Sequence, residues 1–271
     1  MTTTPSQGRQ TTGTVIRAEF RRHLRNRRTP VALGIAATTA VFSAFGFFMF
    51  VGAIDDTLGA AAFALPLGLE IAAGVAGLVL SLYSLSTVTG ETGDGTVLGA
   101  LLLVPNRNRL LGARAVVWPV LGAGVLLAIS PIVFGLGRVS GLPGPIDIGA
   151  YLVGVGVACI TLGLIMVLSF LAATALRRGA MTMAVAVGCL LVLPLAVVVL
   201  QVAAPDLPQP VLTAFLDALP GVAAMKALSV SGTAVQGWTP VGQGLLVLAA
   251  WVVATGLAAI PRFWREGATP E

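Results

Sequence analysis

Glu91-Thr-Gly-Asp-Gly-Thr-Val-Leu-Gly-Ala-Leu-Leu-Leu-Val-Pro-Asn-Arg-Asn-Arg-Leu-Leu-Gly-Ala-Arg114 is the longest polar-interrupted stretch in a chain that is otherwise close to continuous hydrocarbon. Two turn signals, Gly93-Asp94-Gly95 and Pro105-Asn106, bracket a segment that suits a short helix. Asp94 can cap it and Pro105 stops it. Val97, Leu98, Leu101 and Leu102 fall at i, i+1, i+4 and i+5, one helical stripe. A short amphipathic helix hung between two membrane spans has little to do alone; it is the kind of element that a soluble partner grips. The plainer alternative is a solvated loop with a proline turn and no partner.

Composition sets the class around this stretch. Hydrophobic residues make up 56% of the 271 and charged residues only 10%, against about a quarter charged in a soluble domain. A soluble domain of this length cannot hide so much apolar surface, so the chain reads as an integral membrane protein whose surface faces lipid. The net charge of +5 does not point to nucleic acid, because the basic residues stand at the ends of apolar runs and form no groove-sized patch. Cys159 and Cys189 both lie inside apolar runs and read as packing residues.

Six apolar runs are long enough for a hydrocarbon core of about 30 Å: approximately 31–51, 63–88, 115–136, 148–176, 180–204 and 241–260. Basic residues gather in alternate linkers. Arg9 and six arginines between Arg17 and Arg28 precede the first run, Arg107, Arg109 and Arg114 follow the second, Arg177-Arg178 follow the fourth, and Arg262 and Arg265 follow the last; the other linkers hold only Arg138 and Lys226. That asymmetry places both termini and the 91–114 stretch in the cytoplasm. The linkers assigned outside carry Asp55-Asp56, then Arg138 and Asp147 about a Gly/Pro turn, then a long segment between Pro205 and Pro240. In that last segment, Val211–Leu219 and Val222–Val230 suit two short helices that re-enter or rest on the outer leaflet, the alternative being a Pro-rich loop.

Ahead of the first run, residues 1–13 are polar and read as disordered, and 14–30 as a basic amphipathic helix in the membrane interface, with Ile16, Phe20 and Leu24 at i, i+4 and i+8 among the arginines. A plain topogenic arginine cluster explains the same residues. Nothing there has the short apolar region and small-residue cleavage site of a secretory signal. Within the spans, Pro66, Pro119, Pro131 and Pro194 can kink helices, and Gly74, Gly77, Gly122, Gly124, Gly154 and Gly163 permit close packing. Glu70 is the one ionisable residue well inside an apolar run. An intramembrane carboxylate is a functional hypothesis by default: a contact for a cationic or hydroxylated substrate, or a gate hydrogen bond. The structural alternative is a protonated glutamate paired with a neighbouring span or facing water. No Walker-type Gly-x-x-x-x-Gly-Lys-Ser/Thr occurs, His23 is the only histidine, and Gly-x-Ser-x-Gly is missing.

The order Glu91, Gly95-Thr96, Leu101-Leu102, Pro105, Arg107, Arg109, Leu110-Leu111-Gly112 and a final basic Arg114 resembles the first cytoplasmic loop of ABC type-2 permeases, the membrane subunits of ATP-driven exporters. Arg stands where that family usually has Lys. The resemblance implies an all-α membrane protein: an interfacial elbow helix at 14–30, a single six-span domain at 31–260, short outer helices before the last span, and a cytoplasmic tail at 261–271. It implies a coupling helix over 96–103, with Glu91, Gly95, Thr96, Leu98, Leu101, Leu102, Pro105, Arg107 and Arg109 as the residues that couple to the ATPase; Glu91 and the Arg107/Arg109 pair fix its ends, and Glu91 can pair with the arginines of this stretch or of the 14–30 helix. No catalytic or metal residues are expected, and Glu70, on its own reading above, is placed in the substrate path. It also implies two copies of a separate cytoplasmic ATPase that carries the ATP and Mg, a second permease copy or homologue, and a bacterial plasma membrane as the location. The expected substrate is amphipathic or hydrophobic, since the spans offer little fixed charge. Two other classes stay open: an ATP-independent transporter or channel, which usually shows several intramembrane polar groups, and a membrane-embedded lipid-modifying enzyme, which needs a His/Asp/Glu cluster near one face.

Overall fold

The computed structural model of the chain describes residues 11–58, 61–93, 107–140, 148–176, 179–193 with 196 and 199, 209–229 and 239–265. The regular elements among them are helices: α1 (Thr12–Arg25), α2 (Arg28–Leu58), α3 (Ala61–Gly93), α4 (Arg107–Val139), α5 (Ile148–Leu176), α6 (Gly179–Val187), α7 (Gln209–Ala218), α8 (Pro220–Leu228) and α9 (Thr239–Arg265), with a π turn at Gly188–Val192 after α6. Five of them, α2, α3, α4, α5 and α9, are long and apolar enough to cross a bilayer. The architecture is that of a helical membrane protein.

The fourth apolar run coincides with α5, whereas the other long helices outrun theirs. Hydropathy marks the edge of the hydrocarbon, and backbone hydrogen bonding does not stop there. A helix of 31 residues such as α2 spans about 46 Å, so its ends continue into the polar zone with their charges attached. Glu91 therefore stands on the last turn of α3, and Arg107, Arg109 and Arg114 stand on α4; none of the four is a loop residue. The run expected at 180–204 is described as α6 and the π turn, and most of the chain between Leu193 and Gln209 lies outside the described residues.

α5 is the axis of the bundle. It packs against α3, α4 and α9, and 56% of its apolar window is buried, against 17% for α9. Small residues set the approach. Leu162 of α5 reaches between Gly77 of α3 and Gly122 of α4, where an added Cβ would come within 3.1 and 3.3 Å of it. Pro131 removes the N–H that would bond the Leu127 carbonyl, and the Ser130 hydroxyl donates to that carbonyl at 3.2 Å instead. The Tyr151 hydroxyl of α5 donates to the Ser130 carbonyl at 2.6 Å, which ties the turn before Pro131 to the axis. At the opposite end of α5, Arg262 of α9 donates to the Ala175 carbonyl, one of the last-turn oxygens that a helix leaves without an internal donor.

The two short helices expected late in the chain are α7 and α8. The packing of α8 distinguishes re-entry from lying on the end of the bundle. Ala223, Ala224 and Ala227 are buried with Ile165, near the midpoint of α5, and with Leu248 of α9. Gly221 abuts the Leu190 carbonyl in the π turn, and Gly244 of α9 abuts the backbone of Ala223 and Ala227. Trp251, halfway along α9, donates its indole N–H to the Ala218 carbonyl at 2.8 Å. The α7–α8 hairpin thus reaches the mid-height of the bundle.

α1 seats along α4. The expected apolar stripe of Ile16, Phe20 and Leu24 is only half realised: Ile16 and Phe20 pack on the core, but Leu24 is 46% exposed. The buried face of α1 is Val15, Glu19 and His23, so the helix docks by charged and aromatic groups against protein as well as by apolar ones.

Candidate functional site

The charged face of α1 meets the last turn of α3 and the first turns of α4. Glu91 is the centre of the junction. Its Oε1 accepts from Arg22 Nη2 at 2.8 Å and its Oε2 lies 2.9 Å from Arg114 Nη1. Glu19 completes the cluster from α1, with Oε1 3.4 Å from Arg114 Nε and Oε2 3.4 Å from Arg22 Nη1. Two carboxylates thus face two guanidiniums. The side chains of Arg114 and Glu19 are 5% and 7% exposed and that of Glu91 16%, whereas Arg22 at 41% forms the outer wall.

Burial changes the weight of these pairs. An exposed ion pair is worth about 0.2–1 kcal/mol, and that is the value a loop position for Glu91 implies. A buried pair repays a large desolvation cost only while it is intact, and removing one partner costs of the order of 3–5 kcal/mol. Arg114 is in that second position. One of its donors, Nη2, is buried with no hydrogen-bond partner, so the group has little slack for losing Glu91.

An aromatic ladder continues the junction inward. The His23 ring lies 4.7 Å from that of Trp118, and Tyr83 meets the other side of Trp118 edge-on at 5.9 Å. The Tyr83 hydroxyl shares a 2.8 Å hydrogen bond with Thr29 of α2. Glu91, His23, Trp118, Tyr83 and Thr29 therefore link α1, α2, α3 and α4 at one end of the bundle. Burial holds the His23 imidazole below the ordinary 6.5; Glu19 and Glu91 push it up and Arg22 and Arg114 push it down, without reversing the effect of burial.

The remaining residues of the expected coupling element divide cleanly. Gly95, Thr96, Leu98, Leu101, Leu102 and Pro105 lie outside the described residues. Arg107 opens α4, its side chain not described, and Arg109 is exposed one turn from Arg114's level. Glu91 thus pairs both with an arginine of its own stretch, Arg114, and with one of the helix expected at 14–30, Arg22; Glu19, His23, Trp118 and Tyr83 are the partners that a reading of the loop misses. The signal that could have found them is a glutamate and a histidine four residues apart in a helix otherwise rich in arginine.

Glu70 stands 21 residues before Glu91 on α3, about 31 Å away along the helix axis and so near the opposite end of the span. It is partly exposed and lines a cleft of about 400 Å³ between α3, Ile165 of α5, Leu190 of the π turn and Gly221, Ala224, Met225 and Leu228 of α8. The α3 wall runs from Leu67 through Gly74 and Gly77 to Ser81. Ser81 Oγ is buried and has no hydrogen-bond partner. The cleft is thus apolar along its length, with the Glu70 carboxylate toward one end. Among the described residues, no group of three or more His, Cys, Asp or Glu side chains gathers where it could hold a metal ion. No protein-family model matches the chain, and no curated protein matches it.

Proposed function

We propose that the chain is the membrane-spanning subunit of an ATP-driven exporter of the type-2 class, with six spans, both termini cytoplasmic, and ATP hydrolysis on a separate cytoplasmic ATPase present in two copies. The observation that carries this reading is the fixing of Glu91. The residue ends α3 immediately before the 94–106 stretch, and its two oxygens bind Arg22 of α1 and Arg114 of α4. A force applied to that stretch would reach three helices at once instead of bending a loop. The Leu98, Leu101 and Leu102 stripe supplies the surface for an ATPase groove, burying apolar area at about 25 cal/mol per Å². The cleft beside Glu70 gives the other half of the reading: an apolar wall for an amphipathic or hydrophobic substrate, with Glu70 as its polar contact.

The test is coupling. With the ATPase co-expressed, Leu101→Asp should abolish its co-purification, and Glu91→Gln should leave it bound but blunt the response of hydrolysis to substrate. Normal transport by both variants with the ATPase still attached would remove the transmission role. Glu70→Gln should alter transport while leaving assembly intact; if Glu70 only braces a neighbouring helix, Gln should be nearly silent and Glu70→Leu should lower the yield of folded protein.

A further inference from the structure

We infer that the bend between α1 and α2 holds the headgroup of an anionic phospholipid, with Arg27 and Arg28 on the phosphate and one acyl chain lying along α2. The two arginines rim a groove of about 430 Å³ whose floor is Val31, Ala32, Ile35 and Tyr83. Its lining is hydrocarbon, with the stems of Arg27 and Arg28 closing one end; an acyl chain fits such a groove, and a phosphate beyond its mouth would meet the two exposed guanidiniums. Val31 and Ile35 are 59% and 51% exposed and fall at i and i+4, so they form a strip directed down the outside of α2.

The charges at the rim are available. Arg22 and Arg114 are neutralised by Glu19 and Glu91, whereas among the described residues neither Arg27 nor Arg28 has an acidic partner, and both are exposed. The backbone adds to the field. Arg28 is the first residue of α2, and the Asn26 side chain caps its N–H at 3.1 Å, so the positive end of the helix dipole lies at the same place. The floor is held firm, since the Tyr83 hydroxyl is bonded to Thr29 and its ring to Trp118. A basic pocket between helices at the polar edge of the apolar zone is the kind of site that anionic headgroups occupy. A plain electrostatic attraction would use the other exposed arginines of α1 equally well, and the groove is what distinguishes this pair from them.

The test uses the full-length protein in dodecyl maltoside, with dioleoyl phosphatidylglycerol, dioleoyl phosphatidylcholine, dihexanoyl phosphatidylglycerol and inorganic phosphate as probes. Bound lipid is counted by native mass spectrometry and affinity is read from thermal shift. Wild type should retain one long-chain phosphatidylglycerol in preference to phosphatidylcholine, and inorganic phosphate should not displace it. Arg27→Gln with Arg28→Gln should weaken that binding by roughly thirtyfold, the loss of two headgroup contacts, while Arg17→Gln with Arg21→Gln, an equal charge change on the exposed face of α1, should not. Ile35→Trp fills the groove without touching the charge, and should lower affinity for the dioleoyl lipid but not for the dihexanoyl one. Equal losses in the two arginine pairs, equal retention of phosphatidylcholine, displacement by inorganic phosphate, or indifference to Ile35→Trp would each overturn the site.

Discussion

Glu91 carries one negative charge and holds two cations, one of them buried, so the identity of a substitution there decides what is measured. Glu91→Ala leaves Arg114 with Glu19 alone at 3.4 Å and should cost of the order of 3–5 kcal/mol, read as a lowered melting temperature and poor yield in detergent. Glu91→Gln keeps an acceptor oxygen and nearly the same volume, and should cost clearly less; it is the variant on which coupling can be tested without unfolding the junction. Equal stability of the two variants would show that Arg114 does not depend on Glu91. His23 gives the junction a pH dependence of definite sign. Burial depresses its folded pKa below 6.5, so the unfolded chain binds more protons in that window and stability rises with pH. The contribution is present above about 6.5 and is lost as pH falls below it. The melting temperature should drop between pH 7.5 and 5.5, and His23→Phe, which keeps the ring contact with Trp118, should flatten that slope. An unchanged slope would take the histidine out of the account. Glu91 and its pairing with arginines were legible in the sequence; Glu19 and His23 were not. A periodicity reading sends charged side chains to solvent, and only the geometry of three helices meeting shows that Val15, Glu19 and His23 form an inward stripe on α1.

At the level of elements, long apolar runs announced the helices, because a backbone in hydrocarbon must satisfy its own hydrogen bonds. α5 coincides with its run, while α3 and α4 continue past theirs into charged sequence. The depth of α8 was not legible: nine residues with modest apolar content fit a surface helix and a re-entrant one equally well. Its close seat in the bundle comes from the absence of a Cβ at Gly221 and Gly244. At Gly221 a methyl group would collide with the Leu190 carbonyl, a backbone atom that cannot swing aside, whereas at Gly124 an added Cβ meets nothing within 4 Å. Gly221→Ala should therefore destabilise the protein by about 1–3 kcal/mol and loosen α8, seen as faster hydrogen exchange over Pro220–Leu228. Gly124→Ala should be neutral or stabilising by up to about 1 kcal/mol, as expected for removing a helical glycine. If both substitutions behave alike, the close seat of α8 on the π turn is wrong.

Across the whole molecule the charges sort by end. The start of α2, the end of α3 and the start of α4 are joined by the Glu91 junction, and the ends of α5 and α9 are joined by Arg262 on the Ala175 carbonyl. Since α4 and α5 run antiparallel through a short connection, with Tyr151 near the start of α5 bonded to Ser130 in the second half of α4, all five termini share one end of the bundle. Arg22, Arg27, Arg28, Arg109, Arg114 and Arg262 therefore gather there. Arg138 lies at the other end, and Lys226 pairs with Asp217 at 2.7 Å and contributes little net charge. Positive charge retained on the cytoplasmic side orients a multi-pass chain, and a bundle with six arginines at one end and Arg138 at the other has one orientation that the rule favours. The expected outcome is concrete. In a background with Cys159 and Cys189 replaced by alanine, single cysteines at Asp56, Pro143 or Gln209 should react with an impermeant maleimide added to intact cells, and one at Asn106 should react only after lysis. Asn106 immediately precedes Arg107, the first residue of α4, at the end of the bundle that holds Glu91 and Arg114. Labelling of Asn106 from outside would invert the bundle, put the junction out of reach of a cytoplasmic ATPase, and end the reading of the 91–114 stretch as a transmission.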